Sequence, residues 1–313
     1  DIINLNKCNL NMMIFALILL LSLIFPGIIA RTKSITSGRK GPSVWQPVYD
    51  LIKLFKKDAV YSKTTSWIFA WAPVFYFSAV IMAALMLPFG NHGAIISFKG
   101  DFIFFIYLLG LGKFFMIVAA LDTGSAFEGM GASREALYSM LVEPAFFILL
   151  ASLAMLSGTT SFETFFYSLT FNSSLAIFIG VLATYLIFHI ALLENSRMPY
   201  DDPKTHLELT MIHEVMVLDY CGFDLALIQW AGHLKFIIYS LLVSNLFIAS
   251  SFPEWLQWLI FVLTTLLFAI AVGFVESFRA RHKLRSNNKA IVILIPISIL
   301  IFFGSMLIMN KLF

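Results

Sequence analysis

Residues 290–309 read AIVILIPISILIFFGSMLIM, twenty residues without a charge. A helix of that length crosses the hydrocarbon layer of a bilayer. Comparable apolar runs fall at about 12–30, 66–89, 102–121, 136–156, 173–193, 233–251 and 255–276, giving eight spans. Hydrocarbon offers no partner to a backbone amide, so the spans are helices. Barrel strands would alternate polar and apolar residues, and these solid runs do not. Composition agrees, with 60% hydrophobic and 12% charged residues and a mean hydropathy of +0.88. Soluble proteins carry about twice that share of charge. The expected fold class is an all-α integral membrane protein with about eight transmembrane helices, one polytopic domain over residues 1–313.

Lysines and arginines set the orientation. The link 31–65 holds Arg31, Lys33, Arg39, Lys40, Lys53, Lys56, Lys57 and Lys63. Arg134, Arg197, Lys204, Arg279, Arg281, Lys283, Arg285 and Lys289 fall on the same side. Sixteen cations there face three on the other side, Lys7, Lys99 and Lys311, while Lys113 and Lys235 lie within or near spans. The bias predicts long cytoplasmic loops and both termini outside. Positive charge after the first span argues against a cleaved signal peptide. The net charge of +3 is a topology signal and gives no reason to invoke nucleic acid.

The sequence brings few ligands for a redox centre. Its two cysteines, Cys8 and Cys221, sit on opposite sides with no CxxC. They cannot build an iron–sulfur cluster or a structural zinc site. His206 and His213 share one helical face at a spacing of seven, but HLELTMIHE is not the HExxH pattern. No Walker loop and no GxGxxG occurs. Electron chemistry is therefore expected on partners, with no cofactor or metal bound by this protein itself.

Three segments stand out. In 37–58, Gly38, Gly41 and Pro42 keep the backbone irregular. From Gln46 onward Val48, Leu51, Ile52 and Phe55 line one face, with Asp50, Lys53, Lys56 and Lys57 on the other. That pattern predicts an amphipathic helix over about 46–57 at the headgroup level of the lipid bilayer. It serves either as a passive anchor or as a collar that seats a partner or frames a cavity. The second segment, 121–137, reads as a tight connection that presents Asp122, Glu128 and Glu135 beside small residues. Beyond it Glu143 lies inside a span, where an acid is costly and points to function, with Lys113 as its candidate partner.

The third segment is the link 194–232. Glu194, Asp201, Asp202, Glu208, Glu214, Asp219 and Asp224 put seven of eighteen acids into a tenth of the sequence. Asp201 and Asp202 before Pro203 suit a helix start. A helix from Lys204 to about Tyr220, stopped by Gly222, would make the loop partly helical. Acids interleaved with Leu, Met, Ile and Val suit a half-buried funnel of coupled carboxylates rather than a solvated run.

These segments carry a resemblance. GRKGP (38–42), Gln46-Pro47 and DLIKLFKKD (50–58), with ENSRMPYDDP (194–203), ELTMIHE (208–214) and DYCG (219–222), resemble the family of respiratory complex I subunit 1. The wording of the second group is similar to the family's hydrogenase branch, that of formate hydrogenlyase and hydrogenase-4. Asp219-Tyr220-Cys221-Gly222 stands where the family commonly has Glu-Tyr-Ser-Gly.

The resemblance implies a membrane anchor and coupling subunit of an ion-translocating oxidoreductase complex. It would link a cytoplasmic redox module to proton or sodium movement across a prokaryotic cytoplasmic (inner) membrane. Implied partners are hydrogenase-like large and small soluble subunits, an iron–sulfur subunit and antiporter-like membrane subunits. Nickel–iron and iron–sulfur centres would sit on those partners; a quinone is compatible with the resemblance but not implied by it. The implied ion path comprises Glu143, Lys113, Glu194, Asp201, Asp202, Glu208, Glu214 and Asp219. Arg39, Gln46, Arg197, Asp122 and Glu128 would serve docking and the junction. Two other readings stay open: the quinone-binding membrane subunit of an NADH-quinone oxidoreductase, and an autonomous cation/proton transporter.

Overall fold

The computed structural model describes residues 2–168, 173–201, 211–249, 251–281 and 284–309. Among them are twelve helices and no strand. The long helices are α1 (Ile2–Thr36), α3 (Trp67–Leu85), α4 (Asp101–Asp122), α5 (Ala126–Ser157), α7 (Ser174–Glu194), α9 (Gly222–Phe247) and α10 (Glu254–Phe278). Short helices are α2 (Gln46–Phe55), α6 (Phe162–Ser168) and α8 (His213–Met216). The fold closes with α11 (Leu284–Val292) and α12 (Leu294–Ile308), which share one apolar stretch. Eight helical stretches are long and apolar enough to cross a membrane, so this is a multi-pass membrane protein.

Lipid gives apolar side chains no reason to leave it, so helices associate through close packing and polar contacts. Small residues supply the closeness here. Gly112 of α4 leaves room for Tyr76 of α3, where a Cβ would lie 3.0 Å from the ring. Gly273 of α10 receives Thr32 of α1, and Gly304 of α12 receives Ile179 of α7. Aromatic pairs fill the seams, such as Phe75 on Phe115 at 4.6 Å and Phe25 on Phe236 at 5.6 Å between ring centres. The most enclosed span is α9, with long runs of buried residues.

Contacts sort the links into two faces. On one, the amide of Ser66 donates to Asp122, and the amide of Val60 reaches the Cys221 sulfur. On that same face Lys33 and Arg197 both meet Glu276. On the opposite face Asn245 holds Pro88 and Gly90, Gln257 holds Asn91, and Ser161 donates to Asp101. Most of the lysines and arginines belong to the first face, called the basic face below.

Several boundaries differ from the sequence reading. Apolar runs start the fourth span at 136 and the sixth at 233, yet α5 begins at Ala126 and α9 at Gly222. Both extensions are polar on one side, which an apolar-run criterion discards. They remain helical because Glu128 and Asp224, acids of their first turns, are buried and hydrogen-bonded. Gly222 opens a helix instead of stopping one. Its φ of +54° and the carbonyls of Lys57 and Asp58 packed against it leave no space for a Cβ. The helix expected from Lys204 to Tyr220 falls partly on 202–210, outside the described residues. Over 211–221 the backbone forms the single turn α8. The amphipathic helix appears as α2, close to the expected bounds.

Candidate functional site

Four spans each contribute one charge to a buried ionic chain. Lys113 of α4 pairs with Glu135 of α5 at 2.7 Å and with Glu194, the last residue of α7, at 2.9 Å. It also donates to the Ser139 hydroxyl at 3.1 Å. Lys235 of α9 reaches the other Glu194 oxygen at 3.0 Å, and its ammonium lies 5.3 Å from the centre of the Tyr76 ring. Lys235 is fully buried, and the other three are nearly so. Two cations and two carboxylates make a set that is formally neutral. Neutrality and filled hydrogen bonds are what allow such charges inside a membrane protein. Glu194 is the shared member, holding one lysine on each oxygen.

A cavity of about 270 Å³ leads to this set. Pro47 and Asp50 of α2, Pro26 of α1 and Gln229 and His233 of α9 line it, and Glu194 and His213 stand in its wall. The Nδ1 atom of His233 is buried without a hydrogen-bond partner among the described residues. A smaller space continues from Glu194 and His213 to Lys113, Glu135 and Lys235. The route from the rim at α2 to the ionic chain is therefore lined with polar groups. His213 lies at the junction of the two spaces. Burial holds its imidazole below the ordinary 6.5, with help from the Lys235, Lys113 and Arg197 charges and against the pull of Glu135.

The turn after α7 is pinned by a second group of charges. Arg197 pairs with Glu276 of α10 at 3.1 Å and lies over the Phe236 ring at 5.2 Å; Lys33 meets the same carboxylate at 3.4 Å. Asp201 takes Arg281 at 2.6 Å and accepts the amides of Ile212 and His213, which orients α8. Asn287 bridges the Tyr138 hydroxyl and the Tyr200 carbonyl. At the head of α9, burial and the adjoining Asp224 carboxylate push the Tyr61 phenol up to about 12.

The residues singled out in the sequence scatter over different environments. Lys113 and Glu194 meet in the buried ionic chain, while Glu214 lines the cavity above it. Asp219 is exposed and donates its amide to Glu128, itself buried. Asp122 accepts the Ser66 amide, and Gln46 donates to Asp50 at the start of α2. Arg39 is exposed. Asp202 and Glu208 lie outside the described residues.

Glu143 is the departure. The expected pair with Lys113 does not form among the described residues, because Lys113 turns to Glu135 and Glu194. Glu143 instead sits in an open groove of about 320 Å³ on the outer surface of α4 and α5, among Phe104, Tyr107, Leu111, Phe114 and Phe147. Sequence reasoning misses Lys235 and Glu135 as members of the site, half of the buried set. A sixth span starting at 233 makes Lys235 look terminal, and Glu135 falls in an apparent connection. A charge period points to Glu135, since Glu128 and Glu135 are seven apart on one helical face.

Comparison with known proteins agrees with the resemblance. The sequence is 33% identical to Hydrogenase-4 component C of Escherichia coli (strain K12) over 79% of its length and 77% of the relative's. It is 29% identical to Formate hydrogenlyase subunit 4 of the same organism, covering 85% and 82%. An NADH-quinone oxidoreductase subunit of Rubrobacter xylanophilus (strain DSM 9941 / JCM 11954 / NBRC 16129 / PRD-1) is 27% identical, covering 69% and 65%. The fold is similar to that of one component in the structure of the membrane-bound sulfane sulfur reductase (MBS), an archaeal respiratory membrane complex. The TM-score is 0.78 at 18% identity, covering 94% of this chain and 98% of that one. A family profile described as NADH dehydrogenase matches residues 9–306. The chain belongs to the NADH dehydrogenase family.

Proposed function

We propose that this protein is the membrane anchor and coupling subunit of an ion-translocating oxidoreductase complex of the membrane-bound hydrogenase type. The observation that carries the reading is the buried set Glu135–Lys113–Glu194–Lys235 at the end of a cavity that opens beside α2. Glu194 can favour one lysine or the other without leaving the protein interior. A charge change at the cavity alters that balance through a low-dielectric medium, where it is felt strongly. A proton taken up by one carboxylate then obliges its lysine to find a new partner. In this way a redox event on the basic face is converted into ion movement in the membrane.

The redox centres belong to partners in this reading. The described residues bring no three His, Cys, Asp or Glu side chains together as a metal site. Hydrogenase-like large and small subunits and an iron–sulfur subunit would dock on the basic face, which is then cytoplasmic, with both termini outside. Arg39, Asp122 and Asp219 would contribute to that junction. Glu143, open to the membrane side of α4 and α5, would meet an antiporter-like membrane subunit and pass the ion path outward. Arg197 would act from within, by fixing the turn that bears Asp201 and α8 against Glu276.

The test is coupled ion uptake by the whole complex in proteoliposomes. Glu194→Gln and Glu143→Gln should each abolish uptake while electron transfer and assembly continue. Full uptake in both variants would remove the ion-path role. A second reading, quinone binding, is favoured by the cavity itself, since Tyr76 and the His233 nitrogen, unpartnered among the described residues, line it beside apolar Pro26 and Phe236. Purified complex that reduces quinone, and loses that activity in His233→Phe, would select it. Ion flux through the isolated protein in liposomes would instead favour an autonomous transporter.

A further inference from the structure

The segment from Thr36 to Trp67 is the most basic part of the described surface. Arg39, Lys40, Lys53, Lys56, Lys57 and Lys63 are all exposed. Among the described residues none of them has a carboxylate within ion-pair distance. The acids on this stretch are two, Asp50, bonded to Gln46, and Asp58. Large apolar side chains are exposed in the same place: Trp45, Tyr49, Ile52 and Phe55 on or beside α2, and Trp67 and Trp71 at the start of α3. Aromatic residues beside lysines at the end of a span mark the headgroup layer.

α2 is also part of the cavity. Pro47 and Asp50 line the same space as Glu194 and His233. Leu51 is buried, and the Phe55 ring meets Phe223 and Trp230 edge-on at 5.7 and 6.1 Å. The loop before it is clamped on α1, since Val44 packs against Gly27 and Ser34 against Gly41. One side of this short helix therefore closes on the protein and the other presents cations unpaired among the described residues, with aromatic anchors.

We propose that the basic side of α2 is a binding surface for anionic phospholipid headgroups, and that this lipid holds α2 as the rim of the cavity. Charge complementarity selects the occupant. Unpaired ammonium groups at a headgroup layer gain from phosphate-bearing lipid, and the exposed rings gain from the acyl boundary below. A hydrophilic protein surface would satisfy the lysines but leave Trp45, Tyr49 and Ile52 against water. The inference stands on the surface of α2 and does not depend on what the cavity serves.

The purified full-length protein is offered phosphatidylglycerol and phosphatidylcholine together, and native mass spectrometry reads which lipid it retains. Each lysine near an anionic surface is worth about fivefold in partition. Lys53→Gln/Lys56→Gln/Lys57→Gln should therefore lose most of the phosphatidylglycerol preference, while Lys99→Gln on the opposite face should keep it. The rim is read in nanodiscs by maleimide labelling of His233→Cys in a Cys8→Ser/Cys221→Ser background. Labelling should be slower with phosphatidylglycerol present, and the triple variant should label fast in both bilayers. Equal retention of the two lipids by the wild type would overturn the surface. A lipid preference with unchanged labelling would overturn the rim. If the triple variant keeps its lipid preference but sheds a soluble partner of the complex, the lysines serve a protein and the proposal fails.

Discussion

Glu194 and Glu143 are both acids in spans, and they have opposite surroundings. Glu194 lies inside the bundle with a lysine on each oxygen. Glu143 stands in an apolar groove on the bundle's outer surface, without an ion pair among the described residues. An internal acid can be stabilised by its own protein, whereas an outward one in hydrocarbon needs something from outside. The first is thus part of how this protein holds together, and the second is where the proposed neighbouring subunit would have to act.

The largest expected effect is on the internal acid. Glu194→Ala strands the buried Lys235 ammonium and strips Lys113 of one of its two carboxylates, and should cost about 3–5 kcal/mol of stability, measured by thermal unfolding of the purified protein in detergent. Little change would place water within reach of Lys235. The double variant Glu194→Leu/Lys235→Leu sharpens the point. It leaves Lys113 with Glu135, restores neutrality, and should recover much of that loss because buried ion pairs exchange well for apolar groups of similar volume. Ion translocation by the complex should stay absent.

An intermediate effect concerns pH. His213 is held below 6.5 in the folded protein, so the unfolded state takes up its proton first as pH falls. Its contribution to stability is complete above pH 6.5 and is lost progressively below it, by at most about 1.4 kcal/mol per pH unit. His213→Gln should flatten that part of the unfolding profile; an unchanged slope would mean that another group sets it. The smallest effect is at the outward acid. Glu143→Gln should move the stability of the isolated protein by less than about 0.5 kcal/mol, as surface changes do. Its cost should appear only in the assembled complex, as lost ion uptake. A large loss in the isolated protein would show that Glu143 has an internal role after all.

Much of the fold is legible because hydrophobicity is additive along a sequence. The run 290–309 and its seven companions mark the spans, and the alternation of Leu51 and Phe55 with Lys53 and Lys56 marks α2. The extra turns at the starts of α5 and α9 are not legible. They carry acids that are tolerated only when partners arrive from distant segments, as Tyr61 does for Asp224. The site divides in the same way. Lys113 and Glu194 announce themselves as charges in greasy surroundings, but pairing is a property of helix rotation. The sequence shows that Glu143 lies in a span and gives no sign that Lys113 pairs with Glu135 and Glu194 instead. Asp201 reads as the start of a helix whose first residues lie outside the described ones, and its bracing of α8 and Arg281 is not legible at all.

Gly222 carries a mechanical consequence. The carbonyls of Lys57 and Asp58 rest on the bare backbone where α9 begins, and the same helix bears Lys235. The two segments thus fit like a key in its slot: displacing the end of α2 must nudge the head of α9. Gly222→Ala would wedge that joint open while leaving every charge in place.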